Sequence, residues 1–435
     1  MLFDETRVAS YVHSKGARRI AILSEHASPL ALPGSIDSGR QNVYVAHLAR
    51  ELALAGYLVD IFTRRDSMIY KQLVQWRESV RVIHVPAGPA HYIPTEHMLP
   101  HMDAFARFVT RFARRQEALY DIVHANFFMS GLVAQHLKLA LGIPFVITFH
   151  ALGQLGGRSQ RNADPFSAAR LGFEHALMRD ADRIIAECPQ DRLDMEQLYD
   201  APPGRIDIMP CGFDPQELWP VPVRLARQRL GLPLGKFVVL QLGRLAPRKG
   251  IDTGIRGLAL LRRQHGVDAM LLVVGAESEP SGPGGTPELA RLRAVAREHG
   301  VAEHVQFTGG RARSELRYYY CAADAFVSAP WCEPSGITPV EAMACAIPVI
   351  GAEIGGIKDT VIEGRTGFLI PARDPQSLAE RLAVLHAHPE LAHSMGDEGM
   401  CRAFQHYTWR SVAKKAAAIY ERAINQASIP SQLSS

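Results

Sequence analysis

The sequence lacks three things, and each absence removes a class of protein. No apolar run comes near the roughly 18 residues a membrane-crossing helix needs; stretches such as Ala269 to Ala276 (AMLLVVGA) read as buried strands. Charge of one sign is lacking too: 48 Lys and Arg against 44 Asp and Glu leave a net +4 over 435 residues, with no dense basic tract. An extended polyanion, nucleic acid included, is therefore not an expected partner. Cysteine is sparse: the six residues Cys188, Cys211, Cys321, Cys332, Cys345 and Cys401 contain no C-x-x-C pair. That argues against a disulfide framework and against a zinc site, and it fits a reducing cytoplasm. The first residues, MLFDETRVAS, are acidic within four positions and lack an apolar stretch, so a secretory signal is not expected. With 47% hydrophobic and 21% charged residues the composition is ordinary for a globular protein, and the chain is too long for one core.

Short β-branched runs alternate with longer amphipathic segments. Strands are expected at Arg19–Leu23, Leu58–Thr63, Val80–Val85, Asp121–His124, Pro144–Phe149, Ala181–Ala186 and Ile206–Met209. Runs apolar on both faces suit a parallel sheet covered by helices. A second series covers Phe237–Leu242, Met270–Val274, Val305–Thr308, Ala325–Ser328, Pro348–Ile350 and Gly367–Ile370. The proline-rich joint CGFDPQELWPVPV separates them. The expected fold is α/β, two Rossmann-like doubly wound domains facing across a cleft. Expected boundaries are 1–212, 213–408, a final helix 409–427 and a disordered tail 428–435. Glu277–Pro287 reads as flexible.

Two motifs carry chemistry. Strand Phe237–Leu242 runs into Gly243-Arg244-Leu-Ala-Pro-Arg248-Lys249-Gly250, placing cations beyond the carboxyl end of a parallel strand, where open α/β sheets bind ligands. An Arg that forks onto two oxygens and a Lys that supplies a point charge suit a diphosphate, although such a loop alone is as readily a solvated basic turn. The second motif is Glu333-Pro-Ser-Gly336-Ile337-Thr338-Pro339-Val-Glu341, its second glutamate eight positions after the first. Thr338 reads as an N-cap, Pro339 as the first helical residue and Glu341 as the partner in a capping box. Amide groups from Gly336 to Thr338 would then point out of a helix start, toward an anion or sugar hydroxyls. For Glu341 two readings stand on local sequence: capping its own helix, or accepting two ribose hydroxyls. Glu333 has no capping role to explain it.

Together with Thr148-Phe-His150-Ala-Leu-Gly153, these segments resemble the retaining glycosyltransferases of the GT-B fold, and within them the glycosyltransferase group 1 family that includes sucrose-phosphate synthases and the mycothiol-pathway glycosyltransferase. The resemblance spans roughly residues 18–425. It implies that Arg244 and Lys249 hold the nucleotide diphosphate, that Glu333 contacts donor sugar hydroxyls and that Glu341 holds the ribose. Gly336, Ile337 and Thr338 would meet sugar and phosphate through the backbone, and the base would lie near Val305–Phe307. It assigns His150 to the reacting sugar, where a lone strand-end histidine otherwise reads as structural. Where the family carries Gly-Gly before the first helix, this chain has Ser38-Gly39-Arg40-Gln41; Gly39 stands for one glycine, and Arg40 reads as solvated or as a further contact.

The implied reaction is transfer of a hexosyl group from a nucleotide sugar, UDP-glucose first, to an acceptor hydroxyl with retention. GDP-mannose and UDP-N-acetylglucosamine stay open as donors. The segment Val59-Asp60-Ile-Phe-Thr-Arg64-Arg65 resembles the sucrose-phosphate synthase side of the family. No metal motif is read and no cofactor is expected beyond the nucleotide sugar as co-substrate. The acceptor class stays open among sugar, sugar phosphate, glycan and lipid-linked glycan. A nucleotide-sugar epimerase and a non-catalytic nucleotide-sugar-binding protein are the alternatives. The segment AFARFVTRFARRQEA (104–118) sets Phe105, Phe108, Val109 and Phe112 opposite Arg107, Arg111, Arg114 and Arg115. It suits a packed domain helix better than one lying on anionic lipid.

Overall fold

The apolar runs of the sequence form two sheets, each with its order reversing at one point. The computed structural model describes residues 16–31, 40–153, 167–275, 286–331 and 336–428. The chain divides into two units, one of Met1–Glu187, Arg192–Met209 and Val412–Ser435, the other of Cys188–Asp191 and Pro210–Ser411.

In the first unit, β1 (Arg19–Leu23), β2 (Leu58–Arg64), β3 (Leu73–Arg77), β4 (Val80–Val85), β5 (Ile122–Asn126), β6 (Phe145–Thr148), β7 (Arg183–Ala186) and β8 (Ile206–Ile208) are ordered β3-β4-β2-β1-β5-β6-β7-β8. All pairs are parallel except β3 with β4. The antiparallel β3 is absent from the expected strands because it is an edge whose side chains are half-buried or exposed, so its run LVQWR carries no continuous apolar signal. Under the sheet, Asp60 of β2 takes a bidentate pair from Arg81 of β4 at 2.7 and 2.6 Å and a bond from Tyr120 at 2.6 Å. Every charge in this buried cluster is thereby matched. The helix Met102–Arg114 turns Met102, Phe105, Ala106 and Val109 into the core and leaves Arg107, Arg111 and Arg114 exposed, as a packed domain helix does.

In the second unit, β9 (Phe237–Leu242), β10 (Ala269–Val274), β11 (Val305–Phe307), β12 (Ala325–Ser328), β13 (Val349–Ala352) and β14 (Gly367–Ile370) form a fully parallel sheet ordered β11-β10-β9-β12-β13-β14. Alternate strand residues feed two cores. Val238, Leu240, Met270, Leu272 and Val274 join one, and Val239, Ala269, Leu271 and Val273 join the other. The period of two is what a sheet covered on both faces requires.

Cys188, Cys211, Cys321, Cys345 and Cys401 are not joined in disulfides. Most of the segment expected to be flexible, and the tail from residue 429, lie outside the described residues; Pro287, expected to end that segment, instead opens the helix Pro287–Glu298. Among the described residues no helix is long and apolar enough to cross a membrane.

The last helix, Trp409–Ala427, belongs to the first unit from Val412 on. Its Glu421 pairs with Arg18 at 3.2 Å and its Arg422 with Asp207 at 2.7 Å. Its Tyr420 hydroxyl lies 2.7 Å from Nδ1 of the fully buried His124, whose Nε2 lies 2.9 Å from the Thr148 hydroxyl. Burial first, and the charge of His150 second, push His124 down to about 3. In the unfolded chain the same ring titrates near its ordinary value of about 6.5. Between those values the unfolded state binds a proton that the folded state refuses. The contribution of His124 to stability is therefore complete above about pH 6.5 and declines as pH falls toward 3. Denaturant titrations at pH 7 and pH 5 should show wild type losing about 2 kcal/mol more over that interval than His124→Gln; equal losses would contradict the neutral buried ring.

Candidate active site

Sheet order in the second unit reverses between β9 and β12, from which β10 and β11 lie to one side and β13 and β14 to the other. Such a reversal splays the following loops apart and leaves a crevice outside the carboxyl ends of the two strands. A hollow lies there, lined by Gly243, Arg244 and Lys249 after β9, by Ser328 and Pro330 at and after β12, and by Thr338. The structure thus brings Arg244, Lys249 and Thr338 together, although Thr338 lies 89 positions after Lys249 in the chain.

The cationic loop is held from below. Residues Pro247–Lys249 make one turn of 3-10 helix, and the next segment over, Trp331, donates its backbone N–H to Arg248 O at 3.0 Å and its indole N–H to Pro247 O at 3.1 Å. Gly250 then turns the chain into the helix Ile251–His265 with φ 64°, and a Cβ placed on it would come within 1.9 Å of Ala329 O. Only glycine meets both conditions. Arg244 is exposed and has no hydrogen-bond or ion-pair partner among the described residues, while Lys249 is half-buried. The site therefore offers a solvated guanidinium and a partly desolvated ammonium to an anion.

The helix carrying Thr338 and Glu341 runs Ile337–Ala344, with Gly336 as its N-cap and no side-chain cap bond. The capping box expected from Thr338 and Glu341 is thus not formed. Thr338 and Pro339 are already the second and third helical residues, where proline costs nothing because the first turn's amides have no intrahelical acceptor. Glu341 lies too far along the helix to cap it. Its carboxylate, 5% exposed, instead accepts the Tyr320 hydroxyl at 2.8 Å on Oε2 and faces Arg313 Nη1 at 3.2 Å on Oε1. Arg313 also pairs with Glu217. Burial works against the Arg313 charge, but Glu341 and Glu217 outweigh it and hold the guanidinium above its ordinary value. Neither Arg313 nor Tyr320 stands out in the sequence, since neither lies in a motif.

His150 belongs to the first unit, two residues beyond β6, in a left-handed conformation with φ 59°. Its Nδ1 lies 3.0 Å from Glu187 Oε1 and its Nε2 3.0 Å from Asn126 Oδ1, and the Tyr44 ring meets it edge-on at 4.8 Å. Asn126 and Glu187 were not legible as its partners. Gly39, Glu333 and the side chain of Arg40 lie outside the described residues. The residues Val305–Phe307 form β11, at the edge of the second sheet. Asp60 serves the buried pair with Arg81, and Arg64 holds the carbonyls of Pro89 and His91 at 2.7 and 2.6 Å, so both are committed to the fold of the first unit. The sequence's one Asp-x-Asp triplet, Asp180-Ala-Asp182, is structural: Asp182 accepts the Phe145 N–H and pairs with Lys138, and Asp180 accepts the Gln135 amide.

Comparison with known proteins places this geometry. Residues 41–217 match the family described as glycosyltransferase family 4, and residues 223–400 the family described as glycosyl transferases group 1. The chain is 34% identical to D-inositol 3-phosphate glycosyltransferase 2 of Catenulispora acidiphila, over 94% of this chain and 95% of that one. It is 35% identical to the D-inositol 3-phosphate glycosyltransferase of Corynebacterium efficiens, over 93% and 95%. Among solved structures, sucrose-phosphate synthase from Thermosynechococcus elongatus superposes with a TM-score of 0.81 at 30% identity, covering 94% of this chain and 100% of that one. The fold is also that of Anabaena HepE in complex with UDP-glucose, with a TM-score of 0.69 at 22% identity, covering 92% and 98%.

The close approach at Gly250 makes a stability prediction independent of any ligand. Gly250→Ala must relieve both the left-handed strain and the contact with a backbone carbonyl, and should lower the unfolding free energy by about 2 kcal/mol or more. Chemical denaturation measures it, and a loss below about 0.5 kcal/mol, the size of an ordinary surface change, would contradict the packing described.

Proposed function

Because this chain belongs to the glycosyltransferase group 1 family and has the GT-B fold, we propose that it moves a hexosyl group from a nucleotide sugar to an acceptor hydroxyl with retention of configuration. That it is a glycosyltransferase follows from the membership; donor, stereochemistry and residue roles are the proposal. The observation that carries it is the convergence of Arg244, Lys249 and Thr338 on one hollow at the reversal point of the second sheet. As the bond between the sugar's C1 and the diphosphate oxygen breaks, negative charge grows on the leaving group. Fixed cations stabilise that charge more than they stabilise the bound donor, which is what accelerates the step. The acceptor oxygen attacks C1 from the face the diphosphate leaves, and its proton passes to the departing phosphate oxygen. Nothing in the sequence marks a carboxylate nucleophile, so a front-face transfer is preferred to a covalent intermediate.

In this reading Glu341 holds the ribose, Glu333 the donor sugar hydroxyls, the backbone of Gly336, Ile337 and Thr338 the sugar and phosphate, Gly39 the diphosphate, and His150 the reacting sugar. UDP-glucose is the proposed donor, supported by the similarity to a sucrose-phosphate synthase. The full-length relatives bear the name D-inositol 3-phosphate glycosyltransferase, which supports a phosphorylated polyol, D-inositol 3-phosphate first, as acceptor. No cofactor and no metal is proposed, the loop cations supplying the positive charge. Buried cysteines that are not joined in disulfides fit the cytoplasmic location proposed for the enzyme.

Product analysis with UDP-glucose, UDP-N-acetylglucosamine and GDP-mannose, each offered with D-inositol 3-phosphate, tests substrate and stereochemistry together. Conversion of donor to an epimer without acceptor would instead make the chain an epimerase. Arg244→Ala and Lys249→Ala should each lower kcat by about tenfold or more, and the double variant by less than the product, since both act on one developing charge. Near-normal turnover in both single variants would remove them from the mechanism. Transfer should persist in EDTA, and its abolition with recovery on adding a divalent ion would overturn metal independence.

A further inference from the structure

Glu341 is a buried acid whose two oxygens are each held by a side chain from another helix. It stands one turn after Thr338, which lines the hollow, and so lies on the same side of the helix. A carboxylate accepts about four hydrogen bonds. Among the described residues Tyr320 donates to Oε2 at 2.8 Å and Arg313 forms an ion pair with Oε1 at 3.2 Å, so the carboxylate keeps acceptor capacity on both oxygens. A carboxylate that keeps acceptor capacity on both oxygens suits a pair of neighbouring hydroxyls. Tyr320 and Arg313 lie seven residues apart on the helix Arg313–Ala322, hence on one face of it, and reach the carboxylate together. Arg313 is anchored on its far side by Glu217, so its place does not depend on Glu341 alone. Burial, and then the Glu341 charge, keep the Tyr320 hydroxyl protonated and therefore a donor.

We propose that Tyr320 and Arg313 are positioning residues for nucleotide recognition: they lock the plane of the Glu341 carboxylate so that its remaining acceptor directions meet the 2′ and 3′ hydroxyls of the donor ribose. The inference rests on the ribose role proposed for Glu341 and adds how that role is enforced. A carboxylate free to turn about its last torsion would have to be ordered by the ligand, and preorganisation removes that cost.

The test is a ratio of affinities. UDP and 2′-deoxy-UDP, or GDP and 2′-deoxy-GDP should the protein prefer guanine, are titrated calorimetrically against wild type, Tyr320→Phe, Arg313→Gln, Arg313→Lys and Glu341→Gln. Melting temperatures confirm that each variant is folded. Wild type should prefer the ribonucleotide by about tenfold or more, the order of one hydrogen bond to a charged acceptor. Tyr320→Phe, which removes a single oxygen, and Arg313→Gln should bring that preference to about threefold or less while binding the deoxynucleotide within about twofold of wild type. Arg313→Lys, which keeps the charge, should recover part of the preference. If Tyr320→Phe and Arg313→Gln weaken both nucleotides equally and leave the ratio intact, their role is structural and the inference is overturned. If Glu341→Gln also leaves the ratio intact, the ribose reading of Glu341 falls, and the inference with it. Loss of preference in Glu341→Gln but not in the other two overturns the positioning alone.

Discussion

The candidate site depends on how closely two pieces of backbone approach. Gly250 follows the cationic loop, and Ala329 follows β12; a single Cβ on Gly250 would stand 1.9 Å from the Ala329 carbonyl. At that spacing Trp331 reaches back to bond Arg248 and Pro247. The loop after β9 and the segment after β12 are therefore bound to each other directly, next to the hollow that Arg244, Lys249 and Thr338 line. A second such contact stiffens the same edge, where a Cβ on Gly275, after β10, would stand 1.8 Å from the carbonyl of Gly243. Both glycines, by lacking a side chain, let the loop backbone pack against its neighbours and so hold the backbone that carries the proposed cations.

The two kinds of charge at the site are held in opposite ways for a physical reason. A diphosphate brings its own charge and is recognised from many directions, so Arg244, exposed and without a partner among the described residues, suits the diphosphate role proposed for it. Hydroxyl groups are neutral and are recognised by direction. The acid proposed to meet them is accordingly buried and pinned on both oxygens, with Arg313 shared between Glu341 and Glu217 to balance the buried charge.

The parallel strands were legible because both their faces are covered, which writes each as an unbroken apolar run. The edge strand Leu73–Arg77 has no such cover and no such signature. Arg244 and Lys249 could be named because a strand running into a glycine-flanked basic turn is a local pattern. The start of the Ile337–Ala344 helix was misread because a Thr-Pro pair three residues before a glutamate spells a capping box, while the chain makes the turn at Gly336 with no side-chain cap. The partners of Glu341, Tyr320 and Arg313, lie 21 and 28 residues away in the chain, and no local spacing reports that. Asp60 and Arg64 show the converse. They sit in a segment resembling the family, yet their hydrogen bonds serve the first unit's own fold.

The first unit stores its constraint as backbone strain. Phe127 after β5 and His150 after β6 both adopt left-handed conformations, with φ of 81° and 59°, which side chains with a Cβ rarely take. At His150 the strain is held by the side chain. The Asn126 amide nitrogen donates to Leu23 O at 3.2 Å, which turns its carbonyl oxygen toward His150 Nε2, while Glu187 receives Nδ1. Both ring nitrogens thus lie within hydrogen-bonding distance of a side-chain oxygen, which fixes the ring's plane. Burial first, and the electrostatic influence of His150 second, lower the pKa of the neighbouring His124. The strand end that presents His150 and the buried contact that docks the last helix through Tyr420 are consequently coupled through one pair of histidines, so a change in the charge of the first is felt at the second.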